Sequence, residues 1–369
     1  MRKKYSGIAS CVIFFAVIII FPVFCILKPD EKISVDERRQ LAVFPEFSAK
    51  NIKNGSFMNG FDKYISDHFP MRRTFRTGKA LNEFMVYRKK DNNDIYFSDG
   101  YAAKLDYKAD EASLDYACRR FSYVYEKYLK DGNNRVFLSI IPDKNYFLSL
   151  SDGTPSMDYG MLVEKMTSGM PYARYIDIFP TLELEDYYRT DTHWKQEKIT
   201  DTAMLIAEKM NFSISGDFSA DTPDADFYGV YFGQTALPVK PEKISLLTNP
   251  TIESLSVFNY ETGETTGVYD MSKAEGADLY EIYLSGPRSL MTIKNPLAEN
   301  DRELIVFRDS FGSSIAPLLA EGFSSVTLAD IRYIAPDALK NFAEFQDIEN
   351  KDILFLYSTL ILNDSDPIK

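Results

Sequence analysis

The run 8–27, IASCVIFFAVIIIFPVFCIL, holds twenty residues without one charged side chain. At about 1.5 Å per residue a helix of that length reaches about 30 Å, the thickness of a bilayer's hydrocarbon core. Arg2, Lys3 and Lys4 precede the run, whereas Asp30, Glu31, Asp36 and Glu37 follow it. That asymmetry keeps the N-terminus in the cytoplasm and sends the rest of the chain outward. A cleaved signal peptide would have an apolar core of roughly 7–15 residues and an A-x-A site, and neither is found. Cys25 follows Phe24, where a lipidation site needs a small residue. The expected organisation is therefore a cytoplasmic stretch 1–7, an uncleaved membrane anchor 8–27, a juxtamembrane and helical part 28–110, and a larger domain 111–369.

With 45% hydrophobic and 14% aromatic residues, the outward part can bury a substantial core. The net charge of −12 repels phosphate backbones, which excludes nucleic acid as a partner. Cys11 and Cys25 lie in the apolar run, leaving Cys118 alone beyond it, so no disulfide framework is expected. Two histidines and one cysteine outside the run make a zinc site implausible, and we expect no metal and no cofactor.

Phe57, Phe61, Tyr64 and Ile65, then Phe75, Leu81 and Phe84, recur at helical spacing around a break at Pro70. Beyond them a helical stretch at 113–130 precedes apolar runs at 136–141 and 175–178, and an amphipathic helix is expected at 195–210. Residues 211–300 are rich in Thr, Ser, Gly and Tyr, with alternating runs near 255–260, 265–271, 279–284 and 289–293. They predict an antiparallel β insertion. Strands at 304–307, 326–328 and 353–357 then alternate with helices from Phe311 and at 336–343. The pattern predicts an α/β fold whose mostly parallel sheet is flanked by helices.

Ser310, in Arg308-Asp309-Ser310-Phe311-Gly312, falls between an apolar strand and an apolar helix. Such a turn presents the hydroxyl at the carboxyl edge of a sheet, beside backbone N–H groups able to hold an oxyanion. A serine there is equally an ordinary helix cap. The other block is Asp191-Thr192-His193-Trp194. A carboxylate two residues before a histidine can reach Nδ1 and leave Nε2 free to take a hydroxyl proton. A capping aspartate beside a packed histidine would look the same. His68, beside Asp67 in a helix corner, reads as structural, which leaves His193 as the base available to Ser310.

Four stretches carry a resemblance to bacterial DHHW proteins and, more distantly, to AlgX- and AlgJ-like alginate O-acetylation proteins with SGNH-hydrolase-like domains. They are Val35-Asp36-Glu37-Arg38-Arg39-Gln40-Leu41-Ala42 with Pro45; Tyr64-Ile65-Ser66-Asp67-His68-Phe69-Pro70-Met71-Arg72; Asp191-Thr192-His193-Trp194; and Asp309-Ser310-Phe311 continuing to Asp330-Ile331-Arg332-Tyr333. Thr192 stands where the family name has histidine, and Arg308 replaces the glycine of the usual G-D-S, which bears on access and oxyanion geometry.

The resemblance implies a flavodoxin-like, circularly permuted fold in which the Asp/His block precedes the nucleophile. It implies Ser310 as nucleophile, His193 as base and Asp191 as its orienting carboxylate. Oxyanion donors would be the Ser310 N–H with Arg332, Tyr333 or Asn363. Trp194 would wall off His193 or contact substrate, Tyr187 and Tyr188 could stack on sugar, and Asp143-Lys144 could line the pocket or form a solvated turn. The implied activity is serine-dependent O-acetyl transfer or ester hydrolysis on a cell-envelope or secreted polysaccharide. A membrane-bound O-acyltransferase is the implied acyl donor. Alternatives are a non-catalytic polysaccharide-binding or scaffolding protein of the same fold and, with less in its favour, a peptidase.

Overall fold

The computed structural model describes residues 2–346 and 348–369, without the side chains at 2–6, 9, 13, 17, 21, 26 and 152. Two compact units emerge, one comprising Met1–Asn93 with Phe232–Val239 and the other Asp94–Tyr231 with Lys240–Lys369.

In the first unit a helix, α1, spans Arg2–Leu27 with Pro22 inside it. Among the described residues no helix is long and apolar enough to cross a membrane. The expected anchor includes side chains at 9, 13, 17, 21 and 26 and so falls partly outside the described residues. Helices α2 (Ser56–His68) and α3 (Arg72–Leu81) meet at the corner Phe69-Pro70-Met71, as the proline break predicts. The charged motif residues of this unit serve one ion-pair network. Glu37 pairs with Arg39, Arg72 and Arg76, and Arg39 reaches both oxygens of Asp67. Asp67 also accepts the Ala42 N–H at 2.8 Å and lies 3.7 Å from Arg72 Nη2. His68 donates Nε2–H to Ala42 O (2.9 Å) and lies tilted against the Tyr64 ring, which is the structural role expected of it.

The second unit is built on one eight-stranded sheet. In chain order its elements begin with α4 (Glu111–Val124), β1 (Arg135–Ile141), α5 (Lys144–Asp152), α6 (Tyr159–Gly169), β2 (Arg174–Tyr175) and α7 (Thr200–Met210). Then come β3 (Ser256–Asn259), β4 (Thr265–Thr266), β5 (Leu290–Lys294), β6 (Glu303–Arg308), α8 (Gly312–Leu319), β7 (Ser325–Ala329), β8 (Asp352–Ser358) and α9 (Thr359–Asn363). The sheet order is β4-β3-β5-β7-β6-β8-β1-β2. The five strands from β7 to β2 are parallel, and β4, β3 and β5 add antiparallel pairings at the other edge. Counted from β6, the parallel strands lie in the order second, first, third, fourth, fifth, a doubly wound arrangement. The chain supplies the fourth and fifth positions first, so the order is permuted.

Both faces of the sheet are covered, so its strands read as continuous apolar runs with alternate residues assigned to opposite cores. Leu304 and Val306 of β6 face α7 and α8, while Ile305 and Phe307 face α4 and α6. The 211–300 segment, read as an antiparallel β insertion, contributes antiparallel strands to the sheet edge. Its strands β3, β4 and β5 extend the main sheet, and 279–282 is a 3₁₀ turn. Alternating Leu279-Tyr280-Glu281-Ile282 mimics a strand, but Asp278 caps the Tyr280 N–H at 3.0 Å and closes the turn instead. The helix expected from 195 begins later, as a 3₁₀ turn at Gln196–Lys198 followed by α7.

Candidate active site

Ser310 stands just past the carboxyl end of β6, in the three-residue connection that opens α8. This is the edge where doubly wound sheets gather their ligands. The turn is fastened by Asp309, whose carboxylate accepts the Phe311 N–H at 3.0 Å and the Ser358 N–H at 2.7 Å. Asp309 thereby locks the nucleophile turn to the end of β8. Among the described residues the Ser310 N–H carries no hydrogen bond, which leaves it available as a donor.

Asp191 and His193 follow β2 and meet Ser310 from the facing loop. His193 Nδ1–H donates to Asp191 Oδ1 (2.5 Å), and the Ser310 hydroxyl donates to His193 Nε2 (2.8 Å). Asp191 is fully buried and His193 is 8% exposed. The second carboxylate oxygen of Asp191 accepts the Val230 N–H at 2.8 Å, and the His193 N–H points back to Oδ1 at 3.1 Å. Backbone donors thus hold the carboxylate in one orientation, and a carboxylate facing an imidazole fixes its tautomer. Gly229 allows this approach: a Cβ there would lie 2.1 Å from Thr190 O and 2.2 Å from Asp191 N.

The remaining sequence candidates separate into those at the site and those spent on structure. Trp194 is wholly buried and donates Nε1–H to Ser314 Oγ at 2.8 Å, so it is a wall behind the base and not a substrate contact. Tyr187 and Tyr188 are wholly buried too, which removes both as sugar platforms. Tyr187 donates its hydroxyl to Pro142 O at 2.6 Å, and Tyr188 packs against Phe227. Lys144 is no solvated turn residue. Its ammonium is buried, reaches Tyr188 O (2.9 Å) and Arg189 O (3.2 Å), and lies over the Tyr231 ring. Burial lowers its pKa to about 7 against the pull of Asp191 and Glu242. It clamps the backbone that leads into Asp191. Asp143 accepts from Thr359 Oγ1, Asn145 N and Tyr159 Oη, and burial raises its pKa.

Arg308 lies beneath the first turn of α8. Its Nη1 donates to Asp309 O (3.1 Å) and Ser313 Oγ (2.9 Å), and its stem fills the space a Cβ on Gly312 would need. Arginine and glycine in this motif are therefore coupled by packing. Arg332 is bound to Asp330 through Nε (2.9 Å) and Nη2 (2.6 Å) and lies over the half-exposed Tyr333 ring. Asn363 accepts the Asp110 N–H at 2.7 Å and donates to Asp106 and Lys108 O, so its amide fastens α9 to the start of α4. That occupancy removes it as an oxyanion donor. Cys118 is buried in the core, where burial pushes its thiol up to about 11. Among the described residues no cluster of His, Cys, Asp and Glu could hold a metal.

Sequence reasoning missed Tyr280, whose ring stacks on His193 with centroids 3.9 Å apart and planes 11° off parallel. It is one of 24 tyrosines in a segment read as a strand, and no local pattern singles it out.

No family model matches the chain, and no curated protein matches it at the level searched. Solved structures do. A DHHW family protein from Eubacterium siraeum DSM 15702 is 19% identical with a TM-score of 0.61, over 75% of this chain and 95% of that one. PatB1 of Bacillus cereus, solved with a sulfonyl adduct, is 16% identical with a TM-score of 0.59, over 76% and 98%. The O-acetyltransferase domain of Pseudomonas putida AlgJ is 14% identical with a TM-score of 0.45, over 74% and 92%. At such identities the likeness to the first two is one of fold.

Proposed function

We propose that this protein is a serine-dependent O-acyltransferase or esterase, with acetyl as the acyl group, acting outside the cytoplasm on a cell-envelope or secreted polysaccharide. The observation that carries the reading is the hydrogen-bonded series Asp191–His193–Ser310, aligned at the carboxyl edge of the sheet. His193 takes the Ser310 proton as Oγ attacks the acyl carbonyl, and the Ser310 N–H at the opening of α8 faces the developing oxyanion. The proton then passes from His193 to the leaving alkoxide, leaving acyl-Ser310. A sugar hydroxyl, or water, gives its proton to His193 and attacks the ester, which frees Ser310. Asp191 keeps Nδ1 protonated and stabilises the imidazolium in both halves.

The two departures from the family pattern leave these groups untouched. Arg308 turns under the helix, and Thr192 makes no hydrogen bond to the three residues among those described. The N-terminal apolar helix would tether the domain near a membrane-bound acyl donor.

The test is mass spectrometry of the full chain after incubation with an activated acetyl ester, with a sulfonyl fluoride as a second probe of the same hydroxyl. An acetyl adduct on Ser310, lost in Ser310→Ala and His193→Ala, is the expected result. Unchanged ester turnover in both variants would remove the enzyme reading and leave a glycan-binding scaffold.

A further inference from the structure

Two hydrogen bonds, one at each ring nitrogen, set the direction of the His193 ring but leave it free to rock about the line joining them. A face-on neighbour removes that freedom. Tyr280 supplies one at 3.9 Å, nearly parallel, and Phe311 abuts the same ring at 4.9 Å. The Tyr280 hydroxyl donates to Ser314 Oγ at 2.8 Å, the same atom that receives Trp194 Nε1–H. Trp194 is the neighbour of the base, and Ser314 lies one helical turn beyond Ser310. A single tyrosine therefore touches the base directly and ties its 3₁₀ turn to the helix that carries the nucleophile.

Tyr280 is itself held from behind. Leu279, Tyr280, Ile282 and Tyr283 form a buried cluster with Tyr188 and Phe227, and Tyr283 packs edge-on to Tyr280 at 5.0 Å. Its hydroxyl stays protonated, since burial raises its pKa well above the ordinary value.

We propose that Tyr280 is a positioning residue for the base: its ring holds the imidazole in the plane that aims Nε2 at Ser310, and its hydroxyl joins the two halves of the site through Ser314. This assignment rests on the function proposed above. The ring face also attracts the imidazolium formed when His193 takes the serine proton, an interaction that is strongest when shielded from water. The β-rich segment between α7 and β6 thus belongs to the reaction centre, because it delivers this ring.

The experiment compares the full chain with Tyr280→Leu, Tyr280→Phe and phenylalanines carrying increasing numbers of ring fluorines. One readout is the rate at which a fluorophosphonate labels Ser310. The other is the downfield Nδ1–H proton signal of the His193–Asp191 hydrogen bond, assigned with His193→Gln and independent of turnover. Tyr280→Leu should label at least about tenfold more slowly and lose the signal to exchange, whereas Tyr280→Phe should recover the signal and most of the rate. Fluorination keeps the shape and drains the ring face of negative charge, so the rate should fall stepwise. A folded Tyr280→Leu with wild-type rate and signal overturns the proposal. If that variant does not fold, a rate indifferent to fluorination overturns it. Wild-type protein that keeps the proton signal but never labels would refute the serine chemistry alone.

Discussion

Lys144 shows how one buried side chain sustains the geometry without touching the reacting atoms. It donates to Tyr188 O and Arg189 O on the backbone leading to Asp191, and because Arg189 O also accepts the Ala102 N–H at 2.7 Å, the Tyr188 carbonyl is the one that depends on it. Lys144→Met should therefore destabilise the protein by about 1–3 kcal/mol, the cost of leaving the buried Tyr188 carbonyl without its donor. The pH dependence follows from its lowered pKa, about 7 in the folded chain. An unfolded lysine titrates near ~10.4, so between about 7 and ~10.4 the unfolded state binds the extra proton. Stability from this group accordingly rises with pH across that window, by up to ~1.4 kcal/mol per unit, and is flat below it. Urea unfolding at pH 6 and pH 9 checks both points: the wild type should gain over the variant at the higher pH. Sequence placed Lys144 at the right edge of the sheet. Its burial depends on Tyr101 and Tyr231, both distant in the chain, and could not be read from Asp143-Lys144 alone.

The elements that carry the chemistry are a strand-to-helix turn and a loop pressed against it. A continuous apolar run and a serine before a helical run made the turn legible, because both signals are local. The backing loop at 227–231 was not, because its value lies in two N–H groups donated to Thr190 and Asp191 across 39 positions of sequence. Gly229 is the point of contact, and its replacement tests the arrangement. Gly229→Ala would place a methyl 2.1 Å from Thr190 O, forcing the loop off Asp191. We expect acylation of Ser310 to fall by about 10²-fold, with the fold retained by circular dichroism, because misplacing catalytic groups by about 1 Å costs that much. Gly229→Ala with an undiminished rate would show that the Val230 donor does not matter.

At the scale of the whole molecule, the placement of the protein is a proposal that rests on twenty uncharged residues and their flanking charges. The full chain should sediment with membranes and resist alkaline carbonate, and protease added outside intact spheroplasts should remove the domain while sparing the anchor. Deleting 8–27 should release it. Recovery of the full chain in the soluble fraction would refute the tether without bearing on Ser310. The charged motif after the apolar run has a separate meaning. Glu37, Arg39, Asp67, Arg72 and Arg76 are consumed by pairing with one another, so that stretch encodes the first unit's stability.

Periodicity, turn chemistry and the scarcity of histidine were enough, from the amino-acid sequence by itself, to establish an α/β sheet, a serine on its carboxyl edge and one plausible base. These signals are local, set by which neighbours alternate and which residues can cap a helix. Tertiary structure alone decided that Tyr187, Tyr188 and Trp194 are buried, that Asn363 and Arg332 are spent on structural partners, and that the 211–300 strands widen the main sheet. It alone brought Tyr280 onto His193. The reason is physical: burial and stacking are properties of pairs far apart in the chain, and a composition rich in tyrosine gives no hint of which ring will meet which partner.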